Sequence, residues 1–219
     1  MSNEKANDIE DLPDYIEDLA DGIFEKYRTY FDILVQFNNK MNLISQSTIP
    51  QAGRKHFADC HIGVKAFDAE IPNGETVHDF GSGNGFPGMI FSIMRPDTKV
   101  VLVERDRRKC EFLKHVAHLL DLKNVTVHVG GARDLGESNV KYAISRAMSP
   151  LPKLLLEVRT VMASGHSMYL FKSEYWTGEF SQTPPQLFEF WDVNPKAEYQ
   201  LAKLDAKKFI IECKRLDAR

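Results

Sequence analysis

The chain has little cysteine: Cys60, Cys110 and Cys213 are the only three in 219 residues. Three thiols this widely spaced support neither a disulfide framework nor a metal knuckle. No apolar run approaches the roughly 18–20 residues that a membrane span needs. The opening residues, MSNEKANDIEDL, are acidic and lack the basic-then-apolar layout of a signal peptide. The cytoplasm is therefore the expected compartment, with no membrane partner. Internal repeats and low-complexity tracts are absent too. What remains is a hydrophobic content of 43% and a charged content of 27%, ordinary for a soluble globular protein. The length suits one domain with a helical extension. The net charge of −3 is unevenly spread, because residues 1–25 hold nine acids against Lys5 and the remainder carries +5. An acidic arm on a mildly basic body is compatible with a nucleic-acid partner, and equally with a solvated helix face.

One stretch organises the rest. Thr76 to Gly88 reads TVHDFGSGNGFPG, an apolar run ending in an acid, then four glycines in eight residues. Glycine lets a turn take positive φ and lets a ligand touch bare backbone. Strand, glycine loop and helix N-terminus together make a nucleotide cradle. Gly83, Gly85 and Gly88 satisfy G-x-G-x-x-G, so a dinucleotide is one reading. Asp79, Gly81, Gly83 and Gly85 also read D-x-G-x-G-x-G. A carboxylate at Asp79 would repel a pyrophosphate and attract the ammonium and sulfonium of S-adenosylmethionine. The loop thus favours the methyl donor, with the dinucleotide as the alternative.

Around this loop the pattern predicts alternating strands and helices. Apolar residues at helical spacing, Leu12 through Val35, give one or two helices over residues 11–37, with Pro13 in the first turn and Gly22 as a candidate break. Residues 38–44 read as a polar turn. Ser47 or Thr48 can cap a helix over 51–67 that carries Arg54, Lys55 and His61, either a basic patch or a solvated face. Residues 1–8 are expected to be loose. A turn at 71–74 opens the main domain, so the division is 1–70 as a helical extension packed on a 71–219 domain. Strands are expected at 76–80, 99–104, 125–129, 141–145 and 166–171, with helices after the glycine loop to Met94, over 107–120 capped by Asp106, and over 150–161. Strands at 187–193 and 209–213, with no clear helix between them, would pair antiparallel, and Pro184-Pro185 and Asn194-Pro195 read as loops. The fold class is α/β and Rossmann-like, a mostly parallel doubly wound sheet with an antiparallel edge.

Three positions at strand ends stand out. Glu104 lies about twenty residues beyond the loop, where this fold places a carboxylate to take both hydroxyls of a ribose. Gly130 to Asp134 follows the third strand, where an adenine would lie, and Arg146 follows the fourth. His115 and His118 have a metal-compatible spacing, but with no matching acid or thiol set no metal is expected.

With these residues laid out, the chain resembles the ribosomal small-subunit methyltransferase G family, also called glucose-inhibited division protein B. The resemblance rests on Asn39-Lys-Met-Asn-Leu43, Arg54-Lys-His-Phe-Ala-Asp59, the Asp79 to Gly88 loop with its Phe-Pro-Gly tail, the Glu104 strand with Lys109 to Leu113, Ser145-Arg-Ala147 and Lys172. It implies a class I methyltransferase that transfers a methyl group from S-adenosylmethionine to N7 of a guanine in 16S ribosomal RNA of the small ribosomal subunit. By resemblance, Gly81 and Phe86 line the methionine and sulfonium side, with Asp79, Gly83 and Gly85 in the same loop. Glu104 holds the ribose, and Ala132 and Arg133 flank the adenine. Arg146 lies near the methyl group and the target base. Arg133 stands where the family usually has an acid, which leaves a backbone contact to the adenine. Arg54, Lys55 and Lys172 are the expected phosphate contacts. Guanine N7 carries an in-plane lone pair and no proton, so no general base is expected. A monomer is expected, since a ribosomal substrate is large and no apolar interface stretch stands out. The alternatives are a methyltransferase acting on another RNA or a small molecule, and a nicotinamide-dependent oxidoreductase.

Overall fold

The computed structural model describes residues 8–202 and 205–217. Seven strands form one sheet: β1 (Thr76–Phe80), β2 (Lys99–Glu104), β3 (Val125–Val129), β4 (Tyr142–Arg146), β5 (Ser167–Ser173), β6 (Trp191–Tyr199) and β7 (Lys208–Arg215). Their order is β3-β2-β1-β4-β5-β7-β6. The first five run parallel, while β7 lies antiparallel to both β5 and β6. The expected mostly parallel sheet with an antiparallel edge is what forms. β2 and β4 flank β1 on opposite sides, so the strand order reverses there and opens a crevice beyond the carboxyl ends of β1 and β4.

Helices cover both faces: α1 (Leu12–Tyr15), α2 (Asp21–Met41), α3 (Asp59–Lys65), α4 (Gly88–Met94), α5 (Arg107–Leu119), α6 (Leu151–Val158) and α7 (Trp176–Ser181). One buried cluster joins the N-terminal helices to the sheet and to α4 and α5 through Tyr30, Leu34, Phe57, Phe91, Phe112 and Tyr169. A second lies on the other face, around Phe80, Leu154, Leu155, Leu170 and Trp191. The first cluster runs without interruption from Ile9 into Val77 and Ile90, so the helical extension shares the core of the sheet.

Several local expectations change. Residues 1–7 lie outside the described residues, but Asp8 is anchored: its carboxylate accepts from the Gly53 and Arg54 amides at 2.6 and 3.1 Å. It therefore does the capping expected of Ser47 or Thr48, which sit inside a 3-10 turn, Gln46–Gln51. The following helix begins as a π-helical stretch, Gly53–Ala58, before α3. The N-terminal break falls upstream of Gly22, at residues 16–20. Asn38 to Met41 is helix and not turn: Asn38 is buried within α2, its Oδ1 accepting from the Ile44 amide at 2.8 Å while its Nδ2 has no partner among the described residues. Asn42, at φ 48°, then ends α2 in the left-handed region. Pro195 lies within β6 at a register shift, tolerated on an edge strand whose N–H needs no partner. Both β4 and β5 run further than expected, so Arg146 and Lys172 are strand residues.

The loop after β1 is held from several sides. The Gly81 and Ser82 amides donate to the Val103 carbonyl at 3.0 and 3.1 Å, tying the loop to β2. From α2, the Tyr30 hydroxyl donates to the Asn84 carbonyl at 2.5 Å. Gly85 takes φ 97° directly under that hydroxyl, and a Cβ there would run into it. Gly88 opens α4 against Asp79 and Leu102 so closely that a Cβ would displace one of them. Gly85→Ala is expected to cost about 2–4 kcal/mol, combining a strained backbone with overpacking. Urea denaturation measures it, and a loss below about 0.5 kcal/mol, the size of an ordinary surface substitution, would contradict this account.

Candidate active site

An open cavity of about 1180 Å³ occupies the crevice. Glu104 defines one end. Its Oε2 accepts from the Gly83 amide at 2.8 Å and its Oε1 from the Asp106 amide at 2.7 Å. The carboxylate is thereby fixed between the glycine loop and the start of α5. Each oxygen keeps a lone pair for a ligand. Asp106 also caps α5, accepting from Arg108 and Lys109 amides.

Asp79 lies behind the loop and not on the cavity wall. It is fully buried, with Oδ2 accepting from the Gly88 amide at 3.2 Å. Oδ1 has no hydrogen-bond partner among the described residues. Burial pushes this carboxyl up to about 7, against the opposing pull of its hydrogen bonds.

Arg146 defines the other end. Its Nη1 donates to Asp59 Oδ2 at 3.3 Å and to the Lys55 carbonyl at 3.4 Å, and its Nη2 donates to His56 Nδ1 at 3.0 Å. A guanidinium has five N–H donors, so two remain without a partner among the described residues. The group also sits 5.3 Å from the centre of the Phe86 ring. Phe86 is stacked between Tyr30 at 5.2 Å and His56 at 5.3 Å, with Phe57 edge-on at 5.0 Å. Burial, reinforced by Arg146, holds His56 down to about 3, so the imidazole is neutral at physiological pH. With Nδ1 accepting from Arg146, its proton belongs on Nε2.

The anticipated residues divide into those on the cavity wall and those off it. Gly81, Gly83, Phe86, Glu104, Arg146, Lys55 and Lys172 line the cavity. Asp79, Gly85, Ala132 and Arg133 do not: Asp79 and Gly85 shape the loop from behind, and Ala132 is buried in the turn after β3. Arg133 is exposed and donates to the Glu157 carbonyl at 3.3 Å. Arg54 stays outside the cavity, paired with Asp205 at 3.1 Å. Lys172 is only 11% exposed and paired with Glu179 at 2.7 Å. Lys55 is exposed, and Lys208 and Lys109 line the wall as well. Sequence reading missed His56 as an Arg146 partner, Tyr199 and Lys208. It also missed Arg105, whose guanidinium lies over Gly131 and pairs with Glu157 at 2.6 Å. Among the described residues no group of three potential metal ligands occurs, and no helix is long and apolar enough to cross a membrane.

Solved structures with this fold include an S-adenosylmethionine-dependent methyltransferase from Aquifex aeolicus. Its TM-score is 0.57 at 17% identity, covering 75% of this chain and 93% of that one. Another is the precorrin-6y C5,15-methyltransferase from Geobacter metallireducens, with TM-score 0.54 at 14% identity, covering 78% and 92%. The sheet and its crevice are those of the class I methyltransferase fold. The family model for rRNA small subunit methyltransferase G matches residues 23–195. The chain is 38% identical over 200 residues to ribosomal RNA small subunit methyltransferase G 3 of Bdellovibrio bacteriovorus, covering 91% of this chain and 90% of that protein. It is 35% identical over 159 residues to the corresponding methyltransferase of Paracoccus denitrificans, covering 72% and 80%. The chain belongs to the rRNA small subunit methyltransferase G family.

Asp79 carries a measurable signature. A carboxyl whose pKa is higher in the native state binds its proton more tightly there, so stability falls as pH rises from the unfolded value towards the native one. With a native value of about 7 against 3.8, the wild type should lose up to about 4 kcal/mol between pH 4 and pH 7 relative to Asp79→Asn. Denaturation curves of both proteins across that range test this, and parallel pH profiles would contradict it.

Proposed function

We propose that this protein transfers the methyl group of S-adenosylmethionine to N7 of a guanine in 16S ribosomal RNA of the small ribosomal subunit. The carrying observation is that one cavity joins the Gly83–Glu104 end to the Arg146 end in a member of this family. The residues suit the cofactor. Glu104 offers lone pairs to two ribose hydroxyls, and the glycine loop offers bare backbone. The buried orphan oxygen of Asp79 suits a nearby cation, which would draw off its proton. Bound there, the cofactor supplies the electrophilic methyl group and a sulfide leaving group. Gly81 and Phe86 would line its methionine side, and the backbone at Ala132 and Arg133, which lie off the cavity wall, would be the contact for the adenine edge.

Arg146 acts on the target base. Guanine presents both O6 and N7 as acceptors in one edge. An arginine holding both would block the nucleophile, so the two spare donors of Arg146 take O6 or a neighbouring phosphate and leave N7 free. No group need remove a proton. The work is orientation, which can contribute about 7–11 kcal/mol. A neutral His56 and a stacked Phe86 fit that need. The reaction is cytoplasmic and the protein monomeric in this reading, without metal or membrane. Residues 1–70 form an extension of the 71–219 methyltransferase domain.

The test is transfer of labelled methyl from S-adenosylmethionine to small subunits from cells lacking this protein, followed by borohydride–aniline cleavage. Naked ribosomal RNA, transfer RNA and small-molecule acceptors run alongside. Label at one cleavable guanine of the 16S RNA is expected. Label confined to another acceptor, or absent despite cofactor binding, would contradict the substrate. In the same assay Arg146→Ala should keep cofactor affinity and lose about a hundredfold in turnover, the scale of removing one oriented electrostatic group. Unchanged turnover would contradict its role.

Phosphate contact is expected at Arg54, Lys55 and Lys172, but not equally. Arg54 and Lys172 are already neutralised by Asp205 and Glu179. Lys55, with Lys208, is the stronger pair. Lys55→Ala and Lys208→Ala should each flatten the slope of log K against log salt by about 0.7 on single-stranded RNA, with smaller changes for Arg54→Ala and Lys172→Ala. A slope unmoved by Lys55→Ala would show that residue to be solvated surface.

A further inference from the structure

We infer that Tyr199, on the antiparallel edge of the sheet, is a positioning residue that sets Arg146 through Asp59. The inference rests on the reading of Arg146 as the group facing the target base. Tyr199 is the last residue of β6 and lies beyond the family-matched residues 23–195. Its hydroxyl donates to Asp59 Oδ1 at 2.9 Å and lies 3.2 Å from the Asp59 carbonyl. The other oxygen of Asp59 receives Arg146 Nη1 at 3.3 Å. Asp59 is buried at 4% exposure, so its carboxylate is shared between one phenol and one guanidinium. Burial, with the adjacent carboxylate, pushes the Tyr199 hydroxyl well above the ordinary tyrosine value, so it stays a proton donor.

The consequence lies in how many donors Arg146 keeps. A carboxylate facing an arginine favours the bidentate arrangement, two parallel N–H to O bonds. Here only Oδ2 receives the guanidinium, and the Tyr199 hydroxyl, bonded to Oδ1, holds the carboxylate plane in that one-sided orientation. The terminal torsion of an aspartate is soft, so without the phenol the carboxylate is free to turn and close on Arg146 with both oxygens. That closure would use a donor that the base requires. Tyr199 thus keeps Arg146 singly held by Asp59, braced by His56 Nδ1 and the Lys55 carbonyl, with two N–H groups in reserve. Neighbouring Lys208, opposite Tyr199 in the β6–β7 register, lines the same cavity. The edge hairpin therefore contributes to the base-facing end of the site.

Tyr199→Phe removes only the hydroxyl. In the full chain it should lower kcat on small subunits about tenfold, with KM and cofactor affinity unchanged. Rotation of the Arg146 guanidinium, followed by NMR on nitrogen-labelled arginine and assigned with Arg146→Lys, should slow as Asp59 clamps it. A structural role alone would not produce that slowing. Asp59→Asn is the second variant, read if Tyr199→Phe does not fold: the weaker acceptor should make the rotation faster than in the wild type. Unchanged kcat in Tyr199→Phe, or rotation unchanged in whichever variant is read, would overturn the inference. A wild-type protein that labels no subunit would instead fail the proposed reaction, and the rotation measurement alone would then decide whether Tyr199 sets Arg146.

Discussion

The contact on which the rest depends is the one between Tyr30 and the glycine loop. Four glycines in eight residues give that loop no stiffness of its own. Its shape is imposed from outside, by the Val103 carbonyl below, Glu104 at the side and Tyr30 above. Tyr30 is fully buried, its hydroxyl on the Asn84 carbonyl and its ring against Phe86. Phe86 in turn carries His56 on its other face and faces Arg146. One helix of the extension therefore fixes the loop and, through a single aromatic ring, the far end of the cavity. The extension is part of the site's frame and not an appendage to it.

Topology explains why both ends meet. The sheet reverses its order at β1, so the turn after β1 and the last residue of β4 open into one crevice. Evenly charged walls would not distinguish the two ends, but these walls differ. The Glu104 carboxylate, with Lys109 also on the wall, stands at one end, whereas the other gathers Arg146, Lys55, Lys172 and Lys208 against Asp59, Glu179 and Asp205. The division suits a nucleoside cofactor at one end and an anionic RNA at the other. It also locates the main energetic tension, a buried Asp79 whose second oxygen nothing in the described protein satisfies.

Sequence reading succeeded where structure is local. β1, β2 and β3 lie where short apolar runs between turn residues placed them, and Asp106 caps α5 as its position implied. Glu104 could be tied to the glycine loop because both sit at the ends of adjacent parallel strands. What escaped depends on partners distant in the chain. Asp8 caps a helix 45 residues away, Asp205 neutralises Arg54 across 151, and Tyr199 reaches Asp59 across 140. No spacing rule reveals such pairs, since they exist only once the sheet and the edge hairpin have formed. The polar run at Asn38 misled for a related reason. Its turn-like composition is overridden by burial, with the Asn38 Oδ1 accepting from the Ile44 amide. Lys172 looked like a free cation at a strand end, but α7, too short to show a helical period, brings Glu179 onto it.

The central claim is that Gly83 and Glu104 form a seat for the ribose of a sulfonium nucleoside and not for a pyrophosphate. Calorimetric titration of the full chain with S-adenosylmethionine, and separately with NAD, tests it most directly, repeated with Glu104→Gln. The account predicts saturable one-to-one binding of S-adenosylmethionine, weakened at least about tenfold by that substitution, as expected when a charge-assisted hydrogen bond worth about 1.5–3 kcal/mol is lost, and no binding of NAD. Binding of NAD, or an S-adenosylmethionine affinity that Glu104→Gln leaves untouched, would contradict it.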